Sequence, residues 1–227
     1  MVVLPPDEAH HLVRVLRLRP GDGVGLFDGA GGEWLGLVLT LDPEVTIEIV
    51  DAAAPAAEPP VHVTLAVGLL KGGQMDTVVR DATMLGAAAI VPLTTSHVAI
   101  TRRAWQSGTS TDRWQRVAVA SARQSRRAVV PAVAPVTSFE RVFDDVPADI
   151  VLMAVEPARS AAAPVGEVGS RPDRALVLIG PEGGWSDAEV DHARSRRARL
   201  CSLGPRTLRA ETVPTVVLSS LWAQWGW

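Results

Sequence analysis

Cysteine is almost absent from this chain: Cys201 stands alone among 227 residues, so no internal disulfide framework can form. No Cys/His cluster has the spacing of a zinc site either, and a reducing, cytoplasmic setting without a bound metal is expected. Aromatic side chains are scarce, at 4% with no tyrosine, which excludes a core built on stacked rings. No run of about eighteen apolar residues exists for a membrane span, and the start, Met1 to Pro6, has no basic segment or long apolar stretch of an export signal. Net positive charge is lacking as well, since the formal sum is -3. That sum argues weakly against a nucleic-acid partner, but the charges are segregated. Residues 1–58 contain only Arg14, Arg17 and Arg19 as cations, whereas residues 102–127 contain Arg102, Arg103, Arg113, Arg116, Arg123, Arg126 and Arg127 against the single acid Asp112. Such a run is either a phosphate-binding face or an ordinary solvated helix face.

What is abundant is Val, Leu and Ala, the material of sheets covered by helices, so an α/β class is expected. After Pro5-Pro6, Asp7 is a candidate N-cap for a short helix ending at Arg19-Pro20-Gly21-Asp22. Its spacing predicts a packed side of Ala9, Val13 and Leu16 and a basic side of His10, Arg14 and Arg17. Three strand-like runs follow at 24–28, 34–41 and 45–50, divided by glycine- and proline-bearing turns. Ala- and Pro-rich residues 52–60 read as a linker, which divides the chain into 1–58 and 59–227. Beyond it, apolar runs at 61–69, 88–93, 150–155, 175–179 and 199–203 alternate with helical stretches at 76–85 and 111–127, one opening at Ser186, and one from Thr212. Alternation of this kind predicts a parallel sheet with crossovers, covered on both faces.

Two stretches carry chemistry. Gly180-Pro181-Glu182-Gly183-Gly184-Trp185 joins a strand to a helix, with Ser186 and Glu189 spaced as a capping box. Glycines there allow close backbone approach to a flat ligand, although a tight structural turn would use the same residues. The second, Leu203-Gly204-Pro205-Arg206-Thr207-Leu208-Arg209-Ala210-Glu211, also follows a strand and precedes a helix. Neither is a P-loop or a full dinucleotide fingerprint.

These loops, with Lys71-Gly72-x-x-Met75-Asp76, Gln124-Ser125-x-Arg127, and His11-Leu12-x-x-Val15-Leu16-Arg17 before Gly21-Asp22, resemble the RsmE-type 16S rRNA (uracil-N3) methyltransferases of the SPOUT superfamily over nearly the whole chain. The resemblance implies a PUA-like RNA-binding β-barrel at 1–58 and a SPOUT α/β domain at 59–227 with a C-terminal trefoil knot. It implies S-adenosyl-L-methionine as methyl donor, a uridine of 16S rRNA or the 30S subunit as acceptor, at position 1498 of that RNA, and a homodimer. Carried over by position, the donor pocket uses Gly180, Pro181, Glu182, Gly183, Leu203, Gly204, Leu208 and Arg209. Glu211 is the candidate base for the N3 proton, with Arg209 beside it, though the pair reads equally as a salt bridge at a helix start. RNA contacts fall to His11, Arg14, Arg17, Arg123, Gln124 and Arg127, with Arg116, Arg123 and Arg127 spaced on one helix face.

Against the family pattern, the chain opens directly on the His11 helix, so the barrel is expected to lack its first strand. Met84 and Arg123 stand where the family has acids, and Val213-Pro214 follows Glu211-Thr212 in place of a helix-friendly pair. Leu218, Leu221, Trp222 and Trp225 form one stripe of the last helix, suited to packing or to subunit contact. His62, His97, His192 and Cys201 have no partner at catalytic spacing and are expected to be structural. Two other readings stay open: a SPOUT enzyme acting on another RNA group such as a ribose 2'-hydroxyl, and a non-catalytic RNA-binding ribosome-assembly factor.

Overall fold

The computed structural model describes residues 1–98, 109–157 and 162–227; Arg102 and Arg103 of the basic run lie outside the described residues. Two compact units are present. The first comprises Met1–Ala57 and Arg126–Val129, the second Glu58–Ser125 and Val130–Trp227.

The first unit is an antiparallel sheet with order β1-β4-β3-β2, built from β1 (Val2–Val3), β2 (Gly23–Phe27), β3 (Glu33–Thr40) and β4 (Thr46–Ala53). The expected absence of an opening strand is corrected here: Val2 and Val3 pair with Ile47 and Thr46. Helix α1 (Pro6–His10) starts on Pro5 and Pro6 with no side-chain cap, so Asp7 sits in its first turn rather than at the N-cap. It then widens into a π turn, His11–Val15, closed by the Leu16 N–H on the His11 carbonyl at 3.1 Å. The wider turn shifts the helical phase. Leu12 becomes the buried residue, with Ala9 and Val13 beside it, while Leu16 is 54% exposed. At the β2–β3 turn, Asp28 accepts the backbone N–H groups of Ala30 and Gly32 at 2.7 and 2.9 Å, which lowers its carboxyl pKa. Gly29 and Ala30 bridge to Val129, so residues 126–129 belong with this sheet.

The second unit is a parallel sheet with order β10-β12-β9-β11-β5-β6-β7, with β8 also beside β6. Its strands are β5 (His62–Gly68), β6 (Ala89–Thr94), β7 (Ala132–Val133), β8 (Thr137–Ser138), β9 (Ile150–Ala154), β10 (Ala163–Pro164), β11 (Arg174–Ile179) and β12 (Arg199–Ser202). Side chains alternate between two buried faces. Val63, Leu65 and Val67 of β5, with Val177 and Ile179 of β11, join one core with α2 (Gln74–Met84), α3 (Thr109–Ser125) and α6 (Val213–Trp225). Ala66, Leu176 and Leu178 join the other, with Val142 of α4 (Val142–Asp145) and Val190 and Ala193 of α5 (Asp187–Ser195). Burial on both faces is why these strands read as continuous apolar runs rather than alternating ones. β12 lies between β9 and β10.

Two expectations about helices change. α3 stops at Ser125 because Arg126 turns into the left-handed region at φ 58°, which takes Arg127 off the helix face and buries it to 7% exposure. In α6, Leu218 and Leu221 are fully buried and Trp222 and Trp225 nearly so, in the core of their own chain. Trp222 also donates its indole N–H to the Leu85 carbonyl at 2.7 Å. The stripe is therefore internal packing and offers no subunit contact. Pro214 falls in the first turn of α6, where its missing N–H costs nothing, so Val213-Pro214 starts the helix rather than weakening it.

Candidate active site

β11 and β12 flank β9, and the pairing sets Ile179, Ala154 and Cys201 at one level of the sheet. The three segments that leave these carboxyl ends, near 155–157, 180–186 and 203–212, therefore meet over one edge, where α/β sheets place their ligands. Between them lies a cleft that is partly open to solvent. Its walls are apolar from Ala154, Val155, Ile179, Leu203, Leu208, Ala210 and Val213, with Glu156, Glu182 and Arg206 as the charged members.

The first glycine loop is pinned from four directions. Pro181 and Gly184 close a turn through the Gly184 N–H on the Pro181 carbonyl at 2.9 Å, with Gly184 at φ 67°. Trp185 is buried and donates its indole N–H to the Ala154 carbonyl at 2.9 Å, which ties the loop to β9. The Glu182 carboxylate accepts the Lys71 N–H at 2.9 Å and the Gln74 amide at 2.7 Å. His97 Nδ1 lies 2.9 Å from the Gly183 carbonyl and 3.3 Å from that of Gly184, so it carries the proton and donates. The loop then enters α5 through the expected capping box: Ser186 Oγ accepts from the Glu189 N–H at 3.3 Å, and Glu189 accepts from the Ser186 N–H at 2.8 Å. Glu189 also accepts the Ser96 N–H at 2.8 Å, joining the loop after β6 to the same turn.

Of the residues expected at the donor pocket, Gly180, Pro181, Glu182, Leu203, Gly204 and Leu208 line the cleft. Gly183 and Arg209 do not. A side chain at Gly183 would meet His97 Cβ at 2.9 Å rather than a ligand. Arg209 and Glu211 form a loose ion pair at 3.8 Å, with the arginine side chain 84% exposed and the glutamate 17%. In the first unit Arg14 and Arg17 are exposed and His11 is half-buried. On α3 Arg123 is half-buried, Gln124 and Arg116 are exposed, and Arg113 pairs with Asp76. Arg127, expected as an outward cation, is buried in the first unit, because the helix that should have presented it ends two residues earlier.

Several residues of the site escaped the sequence reading. Gly68 ends β5, where a Cβ would lie 2.6 Å from Pro181 Cδ, so only glycine lets the loop cross there. Glu156 carried no signal beyond an acid after an apolar strand, whereas His97, expected to be structural, holds the loop through its hydrogen bonds to the Gly183 and Gly184 carbonyls. Cys201 lies beneath the cleft, where burial pushes its thiol up to about 12 and leaves it unreactive.

Comparison with known proteins gives a single answer. Residues 57–222 match the model of an RNA methyltransferase domain, and residues 4–50 that of an RNA methyltransferase PUA domain. The ribosomal RNA small subunit methyltransferase E of Synechocystis is 34% identical over 97% of this chain and 72% of its own. That of Bacillus subtilis is 29% identical over 95% and 87%. The Neisseria gonorrhoeae enzyme of that name, solved bound to S-adenosyl methionine, superimposes with a TM-score of 0.89 at 28% identity, covering 99% of this chain and 92% of that one. A Legionella pneumophila structure holding the same cofactor gives 0.91 at 25% identity, covering 98% and 91%. The two-unit architecture, the three-loop cleft and these likenesses agree, and the chain belongs to the ribosomal RNA small subunit methyltransferase E family.

Proposed function

We propose that this protein transfers the methyl group of S-adenosylmethionine to N3 of a uridine in 16S rRNA, at the position equivalent to U1498. The observation that carries the reading is the cleft itself: three neighbouring parallel strands end at one level and deliver three loops, two of them glycine-bearing, around one partly open cleft. The residues fit the donor. At Gly204 nothing stands within 4 Å of where a Cβ would be, so a flat base can approach the backbone there, and the apolar side chains of the wall give it a surface to lie against. Bound there, S-adenosylmethionine supplies an electrophilic methyl carbon.

The chain's own task is to position the acceptor and take its proton. Uracil N3 is an imide nitrogen whose proton must leave as the new bond forms. Glu211, half-buried beside the second loop, is the proposed base, and Arg209, with its guanidinium largely in solvent, stabilises the developing anion or holds the donor carboxylate. Arg14 and Arg17 of the first unit and Arg116 and Arg123 of α3 are the proposed phosphate contacts. The homodimer and the cytoplasmic setting belong to the same proposal, and both now rest on family resemblance. No helix among the described residues is long and apolar enough to cross a membrane, and none of their acidic, His or Cys side chains cluster as metal ligands.

The test is mass mapping of methylated nucleosides in 16S rRNA from cells with and without the protein. Loss of one N3-methyluridine, restored on re-expression, is expected. A missing 2'-O-methyl nucleoside would assign the chain another RNA target, and an unchanged map would remove the enzymatic reading.

A further inference from the structure

Glu156 is the first charged residue after β9, and its side chain is half-buried in the wall of the cleft. Its carboxylate rests against Gly184, where a Cβ would lie only 1.9 Å from Oε1, so the glycine makes room for it. The other cleft carboxylate, Glu182, is held through one oxygen, Oε1, by the Lys71 N–H and the Gln74 amide, which ties it to the loop it belongs to. The one cationic lining residue, Arg206, is exposed. Among the described residues Glu156 has no hydrogen-bond or ion-pair partner. A half-buried carboxylate with open acceptor positions, set among apolar side chains in a cleft wall, attracts a positive charge more strongly than the same group in water. Hydroxyl and amide groups of a ligand can find partners in the loop backbones, but a formal cation needs a carboxylate, and of the two in the lining Glu156 has both oxygens open among the described residues.

We propose that Glu156 reads the positive charge of the methyl donor, so that the cleft prefers the sulfonium to the neutral thioether left after transfer. The inference rests on the donor reading of the cleft and adds a residue that discriminates substrate from product. Transfer moves the methyl carbon to the acceptor and returns the bonding pair to sulfur, which becomes neutral. The attraction to Glu156 falls at that moment while every other contact of the spent donor is unchanged. Release of product is thereby favoured over release of unreacted donor.

The experiment is calorimetric titration of S-adenosylmethionine and S-adenosylhomocysteine into the wild-type protein, Glu156→Gln and Glu156→Asp. The glutamine variant keeps the shape and removes the charge. Its affinity for the sulfonium should fall about tenfold or more, with the thioether affinity within about twofold of wild type. The aspartate variant keeps the charge and should retain most of the preference, which guards against a merely disturbed fold. Equal losses for both ligands would mean that Glu156 holds a group common to them, and the charge-reading role would be overturned; unchanged affinities would overturn it too. A wild-type protein that binds neither ligand would instead overturn the donor reading of the cleft.

Discussion

Gly68→Ala tests whether the end of β5 shapes the donor loop without touching the ligand. The added Cβ would lie 2.6 Å from Pro181 Cδ and 2.7 Å from Pro181 N. Both atoms belong to a ring or to the backbone, so no rotamer change relieves the clash, and the loop must retreat by about 1 Å to reach an ordinary carbon contact. It has little freedom to do so. Glu182, His97 and Trp185 tie it to three other segments at 2.9 Å each, and Ile179 just before it is paired with Val67 in the sheet. Overpacking of this kind costs roughly 1–3 kcal/mol. At about 2–4 °C per kcal/mol for a chain of this length, the melting temperature should fall by roughly 2–12 °C. If the strain is carried by the loop, affinity for S-adenosylhomocysteine should fall about tenfold for each 1.4 kcal/mol lost. Differential scanning calorimetry and isothermal titration measure the two effects. A variant with wild-type melting and wild-type affinity would refute the close approach of Gly68 and Pro181.

Arg127→Ala should lower the melting temperature, costing about 1–3 kcal/mol for the loss of a buried cation that has a partner, and leave the salt dependence of RNA binding intact. Arg14→Ala with Arg17→Ala should do the reverse, flattening the slope of log K against log salt by about 0.7–0.9 per lost phosphate contact. A filter-binding series would refute the reading if Arg127→Ala alone flattened the slope. Separately removing Arg209 and Glu211 should change stability by no more than about 1 kcal/mol, because their 3.8 Å pair is largely screened, yet depress methyl transfer about a hundredfold. Equal effects on melting and rate would make the pair structural. Cys201 should resist thiol reagents in the native protein and react on unfolding. Its thiol titrates near 9.0 when unfolded and about 12 when buried, so the folded form holds the proton longer and stability should decline as pH rises from 9.0 toward 12. A native thiol that reacts rapidly at pH 8 would contradict its burial.

Local pattern by itself determined the covered parallel sheet, the capping box of Ser186 and Glu189, and the two glycine-bearing loops, because each depends on residues adjacent in the chain. Tertiary structure decided what covers each apolar face. Periodicity marks Leu218, Leu221, Trp222 and Trp225 as one stripe, but whether a partner subunit or the chain's own α2 lies against it depends on packing between distant segments, and packing within the chain won. The same holds for Arg127, where a left-handed residue at Arg126 outweighs helical spacing, and for α1, where one π turn moves burial from Leu16 to Leu12. The cleft is the strongest case. Nothing near Glu156 or Gly68 in sequence shows that β9 lies between β11 and β12, or that Pro181 crosses the end of β5. Strand order is set by which apolar surfaces can be buried together, a property of the whole chain that no short stretch of it contains.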